Sequence, residues 1–318
     1  MKSFWSKLKK PILAQAPMEE VTDTVFRQII AKCGKPDVFF TEFTNVEGMC
    51  SRGREKVGKR LIFTPRERPI VAQLWGLDPE KFSETAILVK NMGFDGIDIN
   101  MGCPEKSVVK RGSGAALINN PTLAKEIISA VRKGAGGLPV SVKTRIGVKE
   151  IQTEKWASFL LEQNLDCLIV HGRTAKEMSN YPVHWDEIGK VVKLRNSMRL
   201  KTLIIGNGDV KSRAEALEKC KKYGLDGIMI GRGIVENLWI FNKKTDQSKI
   251  PYREKLKLLI KHITLFDKTW GKGKNFSIMK KFYRIYISGM PDSKNVRMEL
   301  MKFKTSKETL KFLKSLRA

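Results

Sequence analysis

Acidic side chains are scarce in this sequence: 33 Asp and Glu stand against 60 Lys and Arg in 318 residues, a formal charge of +27. A field of that sign favours a polyanionic partner. Lysine outnumbers arginine 42 to 18, which a proteome-wide lysine bias would also produce, so the distribution of charge along the chain has to decide between the two. Cysteine is sparse as well. Cys33, Cys50, Cys103, Cys167 and Cys220 are widely separated, odd in number and form no Cys-x-x-Cys pair, which argues against a disulfide framework and against a structural zinc site. No metal centre is expected. Long apolar runs are missing too. Met1-Lys2-Ser3-Phe4-Trp5 lacks the apolar core of a signal peptide, and no later stretch approaches bilayer length. The cytoplasm is the default compartment, with no membrane contact expected; a monomer is the expectation for the assembly. Hydrophobic residues still make up 42% of the chain, enough to bury a sizeable core and to exclude wholesale disorder.

From residue 12 onward, short apolar, β-branched runs alternate with longer stretches of helical periodicity, the signature of a parallel sheet. The runs predict strands at Ile12 to Met18, Val38 to Glu42, Ile70 to Trp75, Gly96 to Met101, Val140 to Thr144, Cys167 to His171, Leu203 to Asn207 and Gly227 to Gly231. The clearest helices fall at Pro79 to Met92, Pro121 to Lys133, Thr153 to Gln163 and Ser212 to Lys222, with acids or prolines near their starts. Eight such units predict an α/β fold of the (β/α)8 TIM-barrel type rather than a doubly wound sheet.

Each predicted strand ends on a polar or special residue: Pro17-Met18, Glu42, Gln73, Asn100, Lys143, His171, Asn207 and Gly231-Arg232. A polar residue can simply mark where a strand leaves the core, which accounts for two or three of these and hardly for all eight. Barrel active sites lie at this rim.

The composition changes after Phe241. Residues 242–318 hold 21 basic against 6 acidic residues, so slightly more than half of the net charge lies in about a quarter of the chain. A uniform lysine bias would spread more evenly, and a binding surface is the better reading. We expect a barrel over residues 1–241 and a basic helical domain over 242–318, with helices at Tyr252 to Lys268, Phe276 to Ile287 and from Ser306 onward.

The most informative stretch is Asp98-Ile99-Asn100-Met101-Gly102-Cys103-Pro104, followed by Gly112-Ser113-Gly114-Ala115-Ala116-Leu117. It sets a thiol just past a strand end, in a loop whose Gly and Pro fix the backbone. Buried cysteines are usually inert, and its rim position makes Cys103 a candidate for a chemical role.

At this point the chain resembles the flavin-dependent tRNA-dihydrouridine synthases. The resemblance rests on Ala16-Pro17-Met18, Gln73, Asn100 to Pro104, Lys143, His171-Gly172-Arg173-Thr174, Asn207-Gly208-Asp209 and Gly231-Arg232-Gly233, in family order and spacing over residues 11 to 241. Each tripeptide is weak alone; the ordered set is specific. The tail from Met279-Lys280-Lys281 to Gly289-Met290-Pro291 also resembles that family's helical domain.

The resemblance implies FMN at the barrel mouth. Backbone groups of Ala16, Pro17 and Met18 would lie beside its ring, Gln73 would meet the pyrimidine edge, and Lys143 and His171 would flank N1 and O2. Asn207, Gly208, Asp209, Gly231 and Arg232 would hold the phosphate. It also implies tRNA as substrate, NADPH or NADH as electron donor, and Cys103 as the proton donor to uracil C5. Asn100 and Arg173 would contact the target nucleotide, and Lys280, Lys281 and Arg284 would contact RNA phosphates. Lys280 stands where relatives often carry Arg, and the basic loop from Glu47 to Arg66 is left unexplained by the core motifs. Two other functions remain in play: a flavin barrel acting on a small pyrimidine, in the manner of a dihydroorotate dehydrogenase, and a catalytically silent RNA-binding module. The first has no use for a basic helical tail; the second predicts loss of Gln73, Cys103, Lys143 or Arg232, all of which are present.

Overall fold

The computed structural model describes residues 3–245 and 247–316. Eight parallel strands form one sheet: β1 (Ile12–Gln15), β2 (Phe39–Asn45), β3 (Ile70–Trp75), β4 (Gly96–Met101), β5 (Val140–Arg145), β6 (Cys167–His171), β7 (Leu203–Asn207) and β8 (Gly227–Ile230). Each pairs with its neighbours in chain order, and β1 pairs with β8. Between β1 and β2 the cycle closes through a bridge from Ala14 to Val38, where the Gln15 N–H donates to the Val38 carbonyl at 3.0 Å. The strands are Val- and Ile-rich and buried on both faces, as a parallel sheet wrapped in helices requires. The fold is a (β/α)8 barrel.

The helices α1 (Thr24–Cys33), α2 (Pro79–Asn91), α3 (Lys106–Lys110), α4 (Pro121–Ala135), α5 (Thr153–Leu161), α6 (Trp185–Ser197) and α7 (Arg213–Tyr223) fill the connections. Their starts are written locally. Asp78 accepts from the N–H groups of Glu80 and Lys81, and Asn120 from that of Leu123, each followed by proline in the first helical position. Ser212 caps α7 in the same way.

Strand ends differ from expectation by a few residues. β1 stops at Gln15, because Pro17 has no N–H to offer a ladder. β2 runs on to Asn45 through a register shift between Phe40 and Phe43, which lets Thr44 pair with Leu74.

The C-terminal region comprises α8 (Tyr252–Trp270), α9 (Tyr283–Ile287), α10 (Ser293–Lys302) and α11 (Ser306–Ser315). The expected single helix over Phe276 to Ile287 is split, with Phe276–Phe282 forming a 3-10 helix that leads into α9. Met279 and Phe282, three residues apart, are both buried there, a spacing that the tighter helix satisfies. The helix α10 has no counterpart in the sequence expectation. The region shares one continuous apolar core with the barrel: Phe26 of α1 stacks on His262 of α8 at 5.7 Å between ring centroids and meets Phe282 at 4.7 Å. Polar contacts pin it beside the barrel mouth. Asp23 accepts from Trp270 Nε1 at 2.8 Å and from Lys274 Nζ at 3.0 Å, and Lys274 also lies 3.9 Å from Glu42 Oε2 at β2. Burial pushes the Glu42 carboxyl up to about 7.

Candidate active site

The rim at the C-terminal strand ends encloses a cavity of about 310 Å³. Ten of the eleven residues expected around a cofactor line it: Ala16, Pro17 and Met18 from the loop after β1; Lys143 from β5; His171 from β6; Asn207, Gly208 and Asp209 from the end of β7; and Gly231 and Arg232 after β8. These loops adopt conformations that few residues accept. Gly208 has φ +148°, and a Cβ there would sit 2.6 Å from a methyl of Val183, so the backbone must come that close to the α6 side with no side chain of its own.

Alternation along β5 places Lys143 and Arg145 two residues apart on one face, and both line the cavity. Lys143 Nζ donates to Asn207 Oδ1 at 3.0 Å, and Asn207 is itself oriented by donating from Nδ2 to the Met229 carbonyl at 2.8 Å. Burial, with the Arg145 charge nearby, lowers the Lys143 pKa to about 8. Burial also holds His171 well below its ordinary value, reinforced by the surrounding cations, so its imidazole is neutral at pH 7. Arg145 was not foreseen from the sequence. Its Nε donates to the Gly102 carbonyl at 2.8 Å and its Nη1 to the Thr174 carbonyl at 2.9 Å, which ties the loops after β4 and β6 together.

Asp209 holds two guanidinium groups with its carboxylate: Arg173 donates from Nη2 to one oxygen, and Arg232 from Nη2 to the other. Arg173 is buried, donates from Nε to the Tyr181 carbonyl at 2.6 Å, and keeps Nη1 without a partner. Arg232 is exposed and borders the cavity.

Gln73, Asn100 and Cys103 are not in the cavity wall. They belong to a buried chain of hydrogen bonds beside it. Ser141 Oγ donates to Asp98 Oδ1 at 2.6 Å, Gln73 Nε2 to Asp98 Oδ2 at 2.7 Å, and Asn100 Nδ2 to Gln73 Oε1 at 3.0 Å. Asn100 Oδ1 then accepts from the N–H groups of Gly102 at 3.1 Å and Cys103 at 2.9 Å. One N–H and the carbonyl oxygen of the Gln73 amide are thus engaged within the protein. Burial raises the Asp98 carboxyl to about 6. On its other side the Cys103 loop is stitched down by the Ala115 N–H, which donates to the Cys103 carbonyl at 3.0 Å. Gly114 has φ +61°, and a Cβ on it would lie 2.8 Å from that carbonyl oxygen. The neighbouring Pro104 reaches the cavity. All five cysteines are free; Cys103 alone lies in this rim loop, and burial raises its thiol pKa, so it carries its proton near neutrality.

In the tail, Lys280 donates from Nζ to the Met301 carbonyl at 2.6 Å, and Lys281 to the Glu20 carbonyl at 3.0 Å and to its carboxylate at 3.3 Å. Arg284 is exposed and borders a groove with Met298 and Met301. In the basic loop, Arg60 pairs with Glu19 at the barrel mouth. Among the described residues, no group of His, Cys, Asp and Glu is placed to hold a metal ion, and no helix is long and apolar enough to cross a membrane.

The donor set suits the FMN that the resemblance implies. Lys143, Arg145 and Arg232 meet in one cavity wall with Asp209 as its only carboxylate, and Arg173 keeps a buried N–H donor unspent close behind. A cavity so charged favours an anion such as a phosphate or an electron-rich ring.

Comparison with known proteins agrees with this reading. Residues 14–318 match the family model described as dihydrouridine synthase. A probable tRNA-dihydrouridine synthase of Staphylococcus aureus (strain MRSA252) is 45% identical over 302 residues, covering 94% of this chain and 91% of that protein. A probable tRNA-dihydrouridine synthase 2 of Bacillus subtilis (strain 168) is 41% identical over 309 residues, covering 96% of this chain and 94% of that protein. The chain belongs to the dihydrouridine synthase family.

Proposed function

We infer that this chain is a tRNA-dihydrouridine synthase, an FMN-dependent oxidoreductase that saturates the C5–C6 bond of uridines in tRNA with electrons from NADPH or NADH. The observation that carries the reading is the cation-walled cavity at the barrel mouth, bordered by the loop of the protonated Cys103. When bound, FMN supplies the hydride for uracil C6. Lys143 and the neutral His171 hold the ring edge where negative charge collects, and Arg232 with the backbone of Gly208, Asp209 and Gly231 holds the phosphate.

Cys103 delivers a proton from Sγ to C5. A thiol that keeps its proton near neutrality is fit for that role. Asn100 fixes the Cys103 backbone and thereby aims the thiol, and the second N–H of its Nδ2 remains to meet the target uracil. Arg173 sets Asp209 and keeps Nη1 for the target nucleotide. The target base has to leave its stack to enter the mouth. Residues 242–318 hold the surrounding RNA; of Lys280, Lys281 and Arg284, it is Arg284 whose charge no carbonyl or carboxylate among the described residues engages.

The test is direct. Purified protein should be yellow, and its reduced flavin should be reoxidised by unmodified tRNA but not by orotate or free uridine. Reoxidation by orotate would instead favour a small-pyrimidine dehydrogenase. Colourless protein that fails to take up FMN would defeat the reading.

A further inference from the structure

A second concavity, of about 630 Å³, adjoins the mouth cavity and shares Pro104 and Met178 with it. Its apolar floor comes from Pro104, Val109, Val148 and Ala175. The loops after β5 and β6 build it jointly: the Ala175 N–H donates to the Gly147 carbonyl and the Lys176 N–H to the Val148 carbonyl, both at 2.9 Å. Four lysines border it. Lys106 and Lys110 lie one turn apart on α3, while Lys149 and Lys176 come from those two loops. All four are exposed, no acidic side chain borders the groove, and among the described residues none of the four makes an ion pair.

An apolar floor within a ring of unpaired ammonium groups fits a nucleotide carrying several phosphates: a base and ribose settle on the floor, and the lysines act as point charges for the phosphates. The flavin phosphate takes the β7 and β8 side of the mouth, and the C-terminal helices press on the β1 and β2 side. A nicotinamide ring placed in the mouth finds an exit on the β4 to β6 side, across Pro104 and Met178 into this groove. We propose that the groove binds the adenosine-phosphate half of the nicotinamide dinucleotide that reduces the enzyme. The inference rests on the donor assigned under Proposed function. A tRNA backbone offers the same phosphates, but a concavity of this size with an apolar floor suits a compact nucleotide better than a continuous strand.

The probe is adenosine 2′,5′-bisphosphate, titrated calorimetrically into the FMN-loaded protein and into a Lys149→Glu/Lys176→Glu variant. Both changes lie on the exposed rim, and a Lys149→Arg/Lys176→Arg variant controls for folding. The glutamate variant should bind the probe at least about tenfold more weakly and need a correspondingly higher NADPH concentration for half-maximal loss of flavin colour. Its limiting rate of colour loss and its reoxidation by tRNA should be unchanged, and the arginine variant should behave as wild type. Weaker tRNA binding with probe affinity intact would overturn the proposal in favour of an RNA surface, and so would indifference to both ligands. If the wild-type flavin is bleached by neither NADPH nor NADH, the donor assignment itself fails and takes the proposal with it; that outcome is recognised before any variant is compared.

Discussion

Asn100 Oδ1 accepts the backbone N–H of Cys103 at 2.9 Å, so the penultimate residue of β4 sets the position of the thiol three residues on. The same oxygen accepts the Gly102 N–H, and the Asn100 amide nitrogen is anchored on Gln73. The buried carboxyl of Asp98 and the rim loop are therefore joined by one series of hydrogen bonds. A network of this kind rigidifies what it joins when every member is satisfied.

Replacing Asn100 by Ala strips two partly buried N–H groups of their acceptor, at a cost of about 1–3 kcal/mol. Denaturant unfolding should register that loss. Asn100→Asp keeps the acceptor oxygen but turns a carboxylate oxygen toward Gln73 Oε1, so it is destabilised as well and the rate separates the two variants. Reoxidation by tRNA should fall further in Asn100→Ala than in Asn100→Asp, with FMN content unchanged in both. Equal effects of the two substitutions on the rate would show that the loop does not depend on this acceptor.

Lys143 ties stability to pH. Its folded pKa of about 8 lies below the ordinary 10.5, so the flavin-free protein bears the cost of a buried charge at pH 7 and is relieved of it as pH rises through about 8. Between about 8 and 10.5 the unfolded chain binds more protons than the folded one, and wild-type stability rises relative to a variant without this group. Lys143→Met should therefore be the more stable flavin-free protein at pH 7, by about 1–3 kcal/mol, with the advantage shrinking above pH 8. The same variant should retain FMN poorly. A pH-independent difference between the two proteins would remove the charge-burial argument.

Phosphate contact by the tail is tested through salt. Lys280 and Lys281 already serve the Met301 carbonyl and Glu20, whereas Arg284 is free toward solvent. Arg284→Ala should weaken tRNA binding at every target sequence and lower the slope of log affinity against log salt by up to about 0.9. Lys281→Ala should change the slope less, because its ammonium is shared with Glu20. Flavin reduction by the nicotinamide should remain intact in both. An unaltered slope in Arg284→Ala would mean that this face does not meet the RNA.

The barrel was legible in the sequence because parallel strands buried on both faces read as unbroken apolar runs, and all eight stand within a few residues of where periodicity puts them. The cofactor wall was legible because its residues end those runs. What escaped notice were side chains whose partners are distant in sequence. Arg145 follows Lys143 at strand spacing, a signal that period-2 counting offers, yet its task of joining the loops after β4 and β6 depends on carbonyls 29 and 43 residues away. Asp98 precedes Asn100 by the same spacing, and its role appears only once Gln73 and Ser141 are beside it. Helix α10 follows a left-handed Asp292 and buries little besides Val296 and Leu300, so its pattern of apolar residues is faint. Arg173 is buried and pairs with Asp209, 36 residues away, a partnership that no spacing rule foretells.

The central claim is that Cys103 gives the proton to uracil C5. Its most direct test is single-turnover reoxidation of prereduced Cys103→Ala by unmodified tRNA. Every other step uses other residues, so the variant should fold, bind FMN, be reduced by the nicotinamide and bind tRNA as wild type does. The account predicts a reoxidation rate lower by about 10²- to 10⁴-fold, the usual worth of a general acid, with at most partial rescue in Cys103→Ser because a hydroxyl is a far weaker acid than a thiol. A normal rate per bound flavin in Cys103→Ala, accompanied only by lower stability or poorer flavin retention, would contradict the account and leave Cys103 a packing residue of its loop.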